Sequence, residues 1–164
     1  MHENILTKIF EHNNWANQWI IEACSALSDE QLDMEPHSVT KGNIRETLTH
    51  LAASQRGYLA LLISPLKARP TSPISFAELE ESIRTSGEGL LSLAKGSQAY
   101  PNSRFRTSDG FLLEPWVVMI QVINHATEHR EQIKSMLSSL GVAPPDIDGW
   151  DYGGAMNALV PVSP

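Results

Sequence analysis

Six histidines stand among the 164 residues, and three of them make the most concentrated chemical feature of the chain. His125 and His129 are four residues apart in VINHATEHREQIKSML, so on a helix they project from one face, a turn apart. At about 100° per residue, Val118, Val122, Ile133, Met136 and Leu140 fall in one arc, with both histidines inside it or at its edge. Arg130, Glu131, Lys134, Ser135 and Ser138 are expected on the opposite side. Two imidazoles on a core stripe carry polar nitrogens, and burying each without a partner costs about 1–3 kcal/mol. A divalent metal satisfies one nitrogen of each ring, and HxxxH on a helix is a spacing from which both reach it. A purely structural histidine pair gives the same pattern, and at this point both readings stand.

His50, in IRETLTHLAAS, adds a third candidate ligand. It lies off the centre of its helix's apolar stripe, beside the small residues Thr47, Ser54 and Gly57. A histidine on a line of small side chains has room in front of it, which suits a pocket wall. Two ligands from one helix and one from another leave coordination positions for water or substrate, as catalytic sites require. That His50 meets His125 and His129 is an expectation. Of the other histidines, His2 and His37 are read as exposed, and His12 as a core-edge residue bonded to a backbone carbonyl.

Other chemistries find less support. The zincin HExxH is absent, and no glutamate is followed by histidine three residues on, as a ferritin-like di-metal bundle requires. Cys24 sits at the end of an amphipathic helix, where a buried structural thiol is favoured over a nucleophile. Trp15 and Trp19 read as packing residues. Trp150, Asp151 and Tyr152 either line a pocket mouth or anchor the tail. Glu128 points about 100° away from His129 and is not nominated as an acid or base.

These residues need helices to position them, and four can be read. The first spans about Ile5 to Ala26, with Ile5, Ile9, Ala16, Ile20, Ala23 and Leu27 in helical register. A short turn follows Ser28, which stands three residues before Gln31 as in a capping box. The second helix starts at Asn43, with Glu46 as reciprocal cap, and Pro65 ends it. Ser75 and Glu78 open the third, in which Gly87 and Gly89 cost about 1 kcal/mol each relative to Ala. Between Tyr100 and Glu114 the period is lost and a short β-hairpin is expected. Pro115 opens the last helix, which runs to about Leu140 and stops at Gly141. The remaining tail is aperiodic. The fold class is all-α: one domain over residues 1–164, a four-helix bundle with a hairpin excursion before the last helix.

Composition narrows the partners. Apolar residues make 41% of the chain and charged residues 19%, enough apolar content for a packed core. Twelve Lys+Arg against 19 Asp+Glu give a formal charge of -7 with no basic cluster, which argues against nucleic acid and anionic membrane surfaces. One cysteine excludes an intrachain disulfide. The N-terminus lacks a signal-peptide layout, and no apolar run approaches the ~20 residues of a bilayer span. A cytoplasmic protein is expected.

The order HNNWANQ, LTHLAASQRGYL, VINHATEHREQIKSML and LGVAPPDIDGWDYG resembles the DinB-like (YfiT-like) superfamily of metal-dependent enzymes across essentially the whole chain. The resemblance implies a four-helix bundle, usually dimeric, holding one divalent metal ion (zinc, nickel or iron in different members) on His50, His125 and His129. Many relatives read HRGQ where this chain has HREQ; Glu131 alters a surface charge but no ligand. The resemblance further implies S-transferase or isomerase chemistry with an exogenous low-molecular-weight thiol and a small-molecule electrophile. Hydrolysis by metal-activated water, and a non-catalytic metal-binding stress-response or interaction module, are the alternatives.

Overall fold

In the computed structural model, residues 4–36, 42–63, 75–98, 104–107 and 110–162 are described. The element order is α1 (Ile5–Ser25), α2 (Asp29–Asp33), α3 (Ile44–Ile63), α4 (Phe76–Ala94), β1 (Phe105–Arg106), β2 (Leu112–Leu113), α5 (Pro115–Ser139) and α6 (Gly149–Ala155). His2, His37 and Pro65 lie outside the described residues.

Local chemistry sets the helix ends. Asn4 Oδ1 accepts from the Leu6 N–H, and Ser28 with Gln31 and Ser75 with Glu78 form reciprocal capping boxes. Asn43 Oδ1 accepts from the Glu46 N–H at 2.8 Å. At the far end of α5, Gly141 takes a positive φ of 75°. Its N–H donates to Ser138 O and that of Val142 to Leu137 O, a complete Schellman closure with Val142 packed on the core. The two strands pair antiparallel, Phe105 opposite Leu113 and Arg106 opposite Leu112.

The core has two ends. At one, Phe10 of α1 packs with Leu62 of α3, Leu90 and Leu93 of α4, and Val118, Met119 and Val122 of α5. At the other, Ile20, Ile21 and Cys24 meet Ile44, Leu48, Ile83, Ile133 and Leu137. Hence α1 and α5 run one way and α3 and α4 the other. Helix α1 packs against α4 and α5, and α3 against the same two, so α1 and α3 lie across a diagonal. Helix α4 therefore begins at the opposite end of the bundle from where α3 stops.

Three expectations need correction. First, Arg130 is not on a solvent face: only 4% of it is exposed. Its Nη1 donates to Asn13 Oδ1 at 2.8 Å and Asn17 Oδ1 at 2.7 Å, and its Nη2 to Thr127 Oγ1 at 3.1 Å. Asn17 Nδ2 donates to Gln55 Oε1 at 3.0 Å, and Gln55 Nε2 reaches Ile83 O and Ser86 Oγ at 2.9 Å each. One chain of buried hydrogen bonds thus joins α5, α1, α3 and α4. Second, the tail is not irregular throughout. Asp148 Oδ1 accepts from the Trp150 and Asp151 N–H groups, Asp151 returns the bond, and α6 follows. Third, Ile5, Leu6 and Ile9 of α1 are exposed, and Leu6 and Ile9 line an open groove rather than the core.

The two α4 glycines gain a reason. A Cβ on Gly87 would stand 2.5 Å from Asn14 Oδ1, and one on Gly89 would stand 2.6 Å from Leu59 Cδ2. The helix-propensity cost is the condition for close approach to α1 and α3. Arg130→Met would strand two buried amide oxygens and is expected to lower unfolding free energy by about 2–4 kcal/mol. Urea denaturation followed by circular dichroism measures it.

Candidate metal centre at the α3–α5 seam

The stripe that buries α5 runs through Val118, Val122, Ala126, Arg130 and Ile133, with Arg130 turned to α1. One residue back, at about 100° around the helix, His129 is directed elsewhere. It and His125 lie half-buried along the edge that faces α3. From α3, His50 comes from the exposed side of the seam to meet them. Its Nε2 is 3.0 Å from His125 Nε2, and His129 Nε2 is 3.2 Å from the same atom. One ring nitrogen from each residue lies within 4.8 Å of the others, the one such cluster among the described residues. The expectation that His50 joins the pair is met.

Of the small residues beside His50, Thr47 is buried and its hydroxyl bonds to Asn43 O. Gly57 has nothing within 4 Å of where a Cβ would stand, so that side is open. The Tyr58 ring stands edge-on to His125, centroids 5.6 Å apart. His129 Nδ1 lies 2.7 Å from Gln132 Oε1.

Burial holds His125 well below the ordinary histidine range, at about 4, with His129 and then His50 adding repulsion. His50 is lowered for the same first reason, reinforced by His129. Both rings are therefore neutral near pH 7, and a neutral imidazole has one N–H and one lone pair. His125 Nε2 faces two other Nε2 atoms, yet it offers a single in-plane N–H or lone pair. It cannot make two linear hydrogen bonds at once. A divalent cation accepts a lone pair from all three rings without that conflict, so the donor set fits such an ion.

Elsewhere, His12 Nε2 lies 2.9 Å from Ile147 O, the backbone contact expected of it. Tyr152 packs its ring on His12 and Trp15, 5.4 Å from each, and so anchors the tail, whereas Trp150 is 75% exposed. Cys24 is fully buried, and burial pushes its thiol up to about 12, so it is no nucleophile. Glu128 is exposed. Sequence reasoning missed three neighbours of the site: Arg130, Tyr58 and Gln132. Only Gln132 carried a local signal, its i,i+3 spacing from His129.

The histidine geometry fixes a pH response for the metal-free protein. The unfolded chain protonates His125 near 6.5 and the folded one near 4, so the unfolded state binds more protons between them. Stability is accordingly expected to fall as pH drops below 6.5, levelling off below about 4. Because His125 is only half-buried, the slope stays under ~1.4 kcal/mol per pH unit. Thermal melts of chelator-treated protein across this range check it, and His125→Asn should flatten the slope.

The comparisons with known proteins agree with this architecture. The DinB family matches residues 1–156. Protein DinB of Bacillus subtilis (strain 168) is 27% identical over 154 residues, covering 86% of this chain and 89% of its own. A crystal structure described as a DinB-family member, from Exiguobacterium sibiricum 255-15, superposes with a TM-score of 0.64. It is 16% identical and covers 86% of this chain and 95% of its own. A four-helix bundle with an antiparallel hairpin before its last long helix, a three-histidine cluster on the α3–α5 seam and a match over nearly the full length lead to one assignment: the chain belongs to the DinB family.

Proposed function

We propose that His50, His125 and His129 hold one divalent metal ion (zinc, nickel or iron), and that the chain is a cytoplasmic, thiol-dependent S-transferase. The observation that carries this is the convergence of three histidine ring nitrogens where one side remains open to solvent. When bound, such an ion favours the thiolate form of an incoming thiol. The chain's own residues supply the ligand set, through two helices held in register by the buried Arg130 network. They do not supply the sulfur, because Cys24 is enclosed in the core and fully protonated at neutral pH. A low-molecular-weight thiol from outside is therefore part of the proposal. Its sulfur forms the new bond to an electrophilic carbon, and the thiol proton passes to solvent. The bond from that carbon to its leaving group breaks, and the group departs as an anion with the electron pair (chloride from chlorodinitrobenzene).

The expected result is about one metal per chain in protein purified without a histidine tag. His129→Ala should lose most of that metal and keep its helical content by circular dichroism. Turnover of chlorodinitrobenzene should require both metal and added thiol. Metal-dependent turnover of esters that ignores thiol would instead establish the hydrolase reading. Less than about 0.1 metal per chain after reconstitution would remove both.

We also propose that the chain forms a homodimer. Leu6 and Ile9 of α1 and Trp116 and Ile120 of α5 border an apolar groove of about 280 Å³, with Trp116 and Ile120 more than half exposed. A continuous apolar face of this kind supports contact with a second copy. Ile120→Lys should convert the dimer to a monomer in light scattering coupled to size exclusion.

A further inference from the structure

The three histidines differ in one respect that bears on which nitrogen each presents. His129 Nδ1 lies 2.7 Å from Gln132 Oε1, three residues on along the same face of α5. An amide oxygen only accepts hydrogen bonds, so at this contact Nδ1 carries the proton. In a neutral imidazole protonated at Nδ1 the lone pair is left on Nε2, and Nε2 is the atom 3.2 Å from His125 Nε2. A free histidine side chain in water prefers the opposite form, with the proton on Nε2. In that form His129 would aim an N–H at the centre of the cluster and offer no electron pair there.

We infer that Gln132 is a positioning residue for the site: its side-chain carbonyl holds His129 in the Nδ1–H tautomer and so commits Nε2 to the cluster. This rests on the reading that the three histidines hold a metal. The neighbouring Glu131 carboxylate pairs with Lys134 Nζ at 3.4 Å, and the acceptor at His129 Nδ1 is the neutral Gln132 amide. A neutral acceptor orients the ring while leaving it less basic than a carboxylate partner would.

Two variants separate this role from packing. Gln132→Met keeps length and bulk but has no carbonyl; Gln132→Glu keeps an acceptor at the same reach. In chelator-treated protein at about pH 8, where histidine is neutral, nitrogen-15 spectra of labelled histidine report the tautomer of each ring. The expected result is Nδ1–H at His129 in the parent and in Gln132→Glu, and a shift toward Nε2–H in Gln132→Met. Zinc affinity, measured by competition with a chromogenic chelator, should fall about 10–100-fold in Gln132→Met and be retained in Gln132→Glu. All three proteins should have equal helical content. An Nε2–H ring in the parent, an unchanged tautomer in Gln132→Met, or equal zinc affinity in all three overturns the inference. A parent protein that takes up no zinc overturns the metal reading itself, and the metal-free spectra tell that failure apart from a wrong tautomer.

Discussion

Arg130 is the constraint around which the bundle is arranged. A guanidinium inside a helical core costs several kcal/mol in lost hydration unless its donors are matched. Burial holds it down at about 10, still charged at neutral pH. The partners the structure gives it are the amide oxygens of Asn13 and Asn17 and the hydroxyl of Thr127. Those amides are polarised in turn, and Asn17 passes its own N–H to Gln55, which spends its two on α4. Apolar burial is non-directional and by itself specifies the rotation of each helix less sharply. Directed bonds from α5 to α1, and across the diagonal to α3, remove that freedom.

The three-histidine cluster inherits its geometry from that fixation. His129 adjoins Arg130 in the chain, so turning Arg130 to α1 sets the azimuth of His129 on α5. His125 follows one turn earlier. The same holds for α3: Gln55 is drawn inward by Asn17 and Ser86, and His50, five residues before it, is carried to the outer side of the seam. The rings meet because two polar anchors deeper in the core point the other way. The resulting cluster is open to solvent on its His50 side and backed by the packed core on the other.

Much of this was legible in the sequence. Capping boxes at Ser28 and Ser75, Pro115 at a first turn and Gly141 past a last one are local devices, and each stands where its residues placed it. Helix α6 escaped because three glycines in seven residues suppress its helical signal, and its cap is built from two aspartates rather than a serine and a glutamate. The exposed start of α1 escaped because apolar periodicity marks a face without saying what covers it. The helical layout at about 100° per residue sets Arg130 opposite the apolar arc, where an arginine is ordinarily solvated. Nothing within its own helix announced the two asparagines that make its burial tolerable.

The sequence alone specifies the four long helices, where each begins, where α5 stops, and the pairing of His125 with His129, since periodicity and capping act over one or two turns. It also excluded any thiol partner for Cys24 within the chain. The tertiary structure decided which face of α5 looks at α3, that His50 completes the cluster, and that Arg130 lies inside. His50 and His125 are 75 residues apart, and Arg130 and Asn13 are 117 apart. Relations at that separation depend on how whole helices rotate against one another. That rotation is settled by the sum of packing and buried hydrogen bonds, which no local pattern encodes.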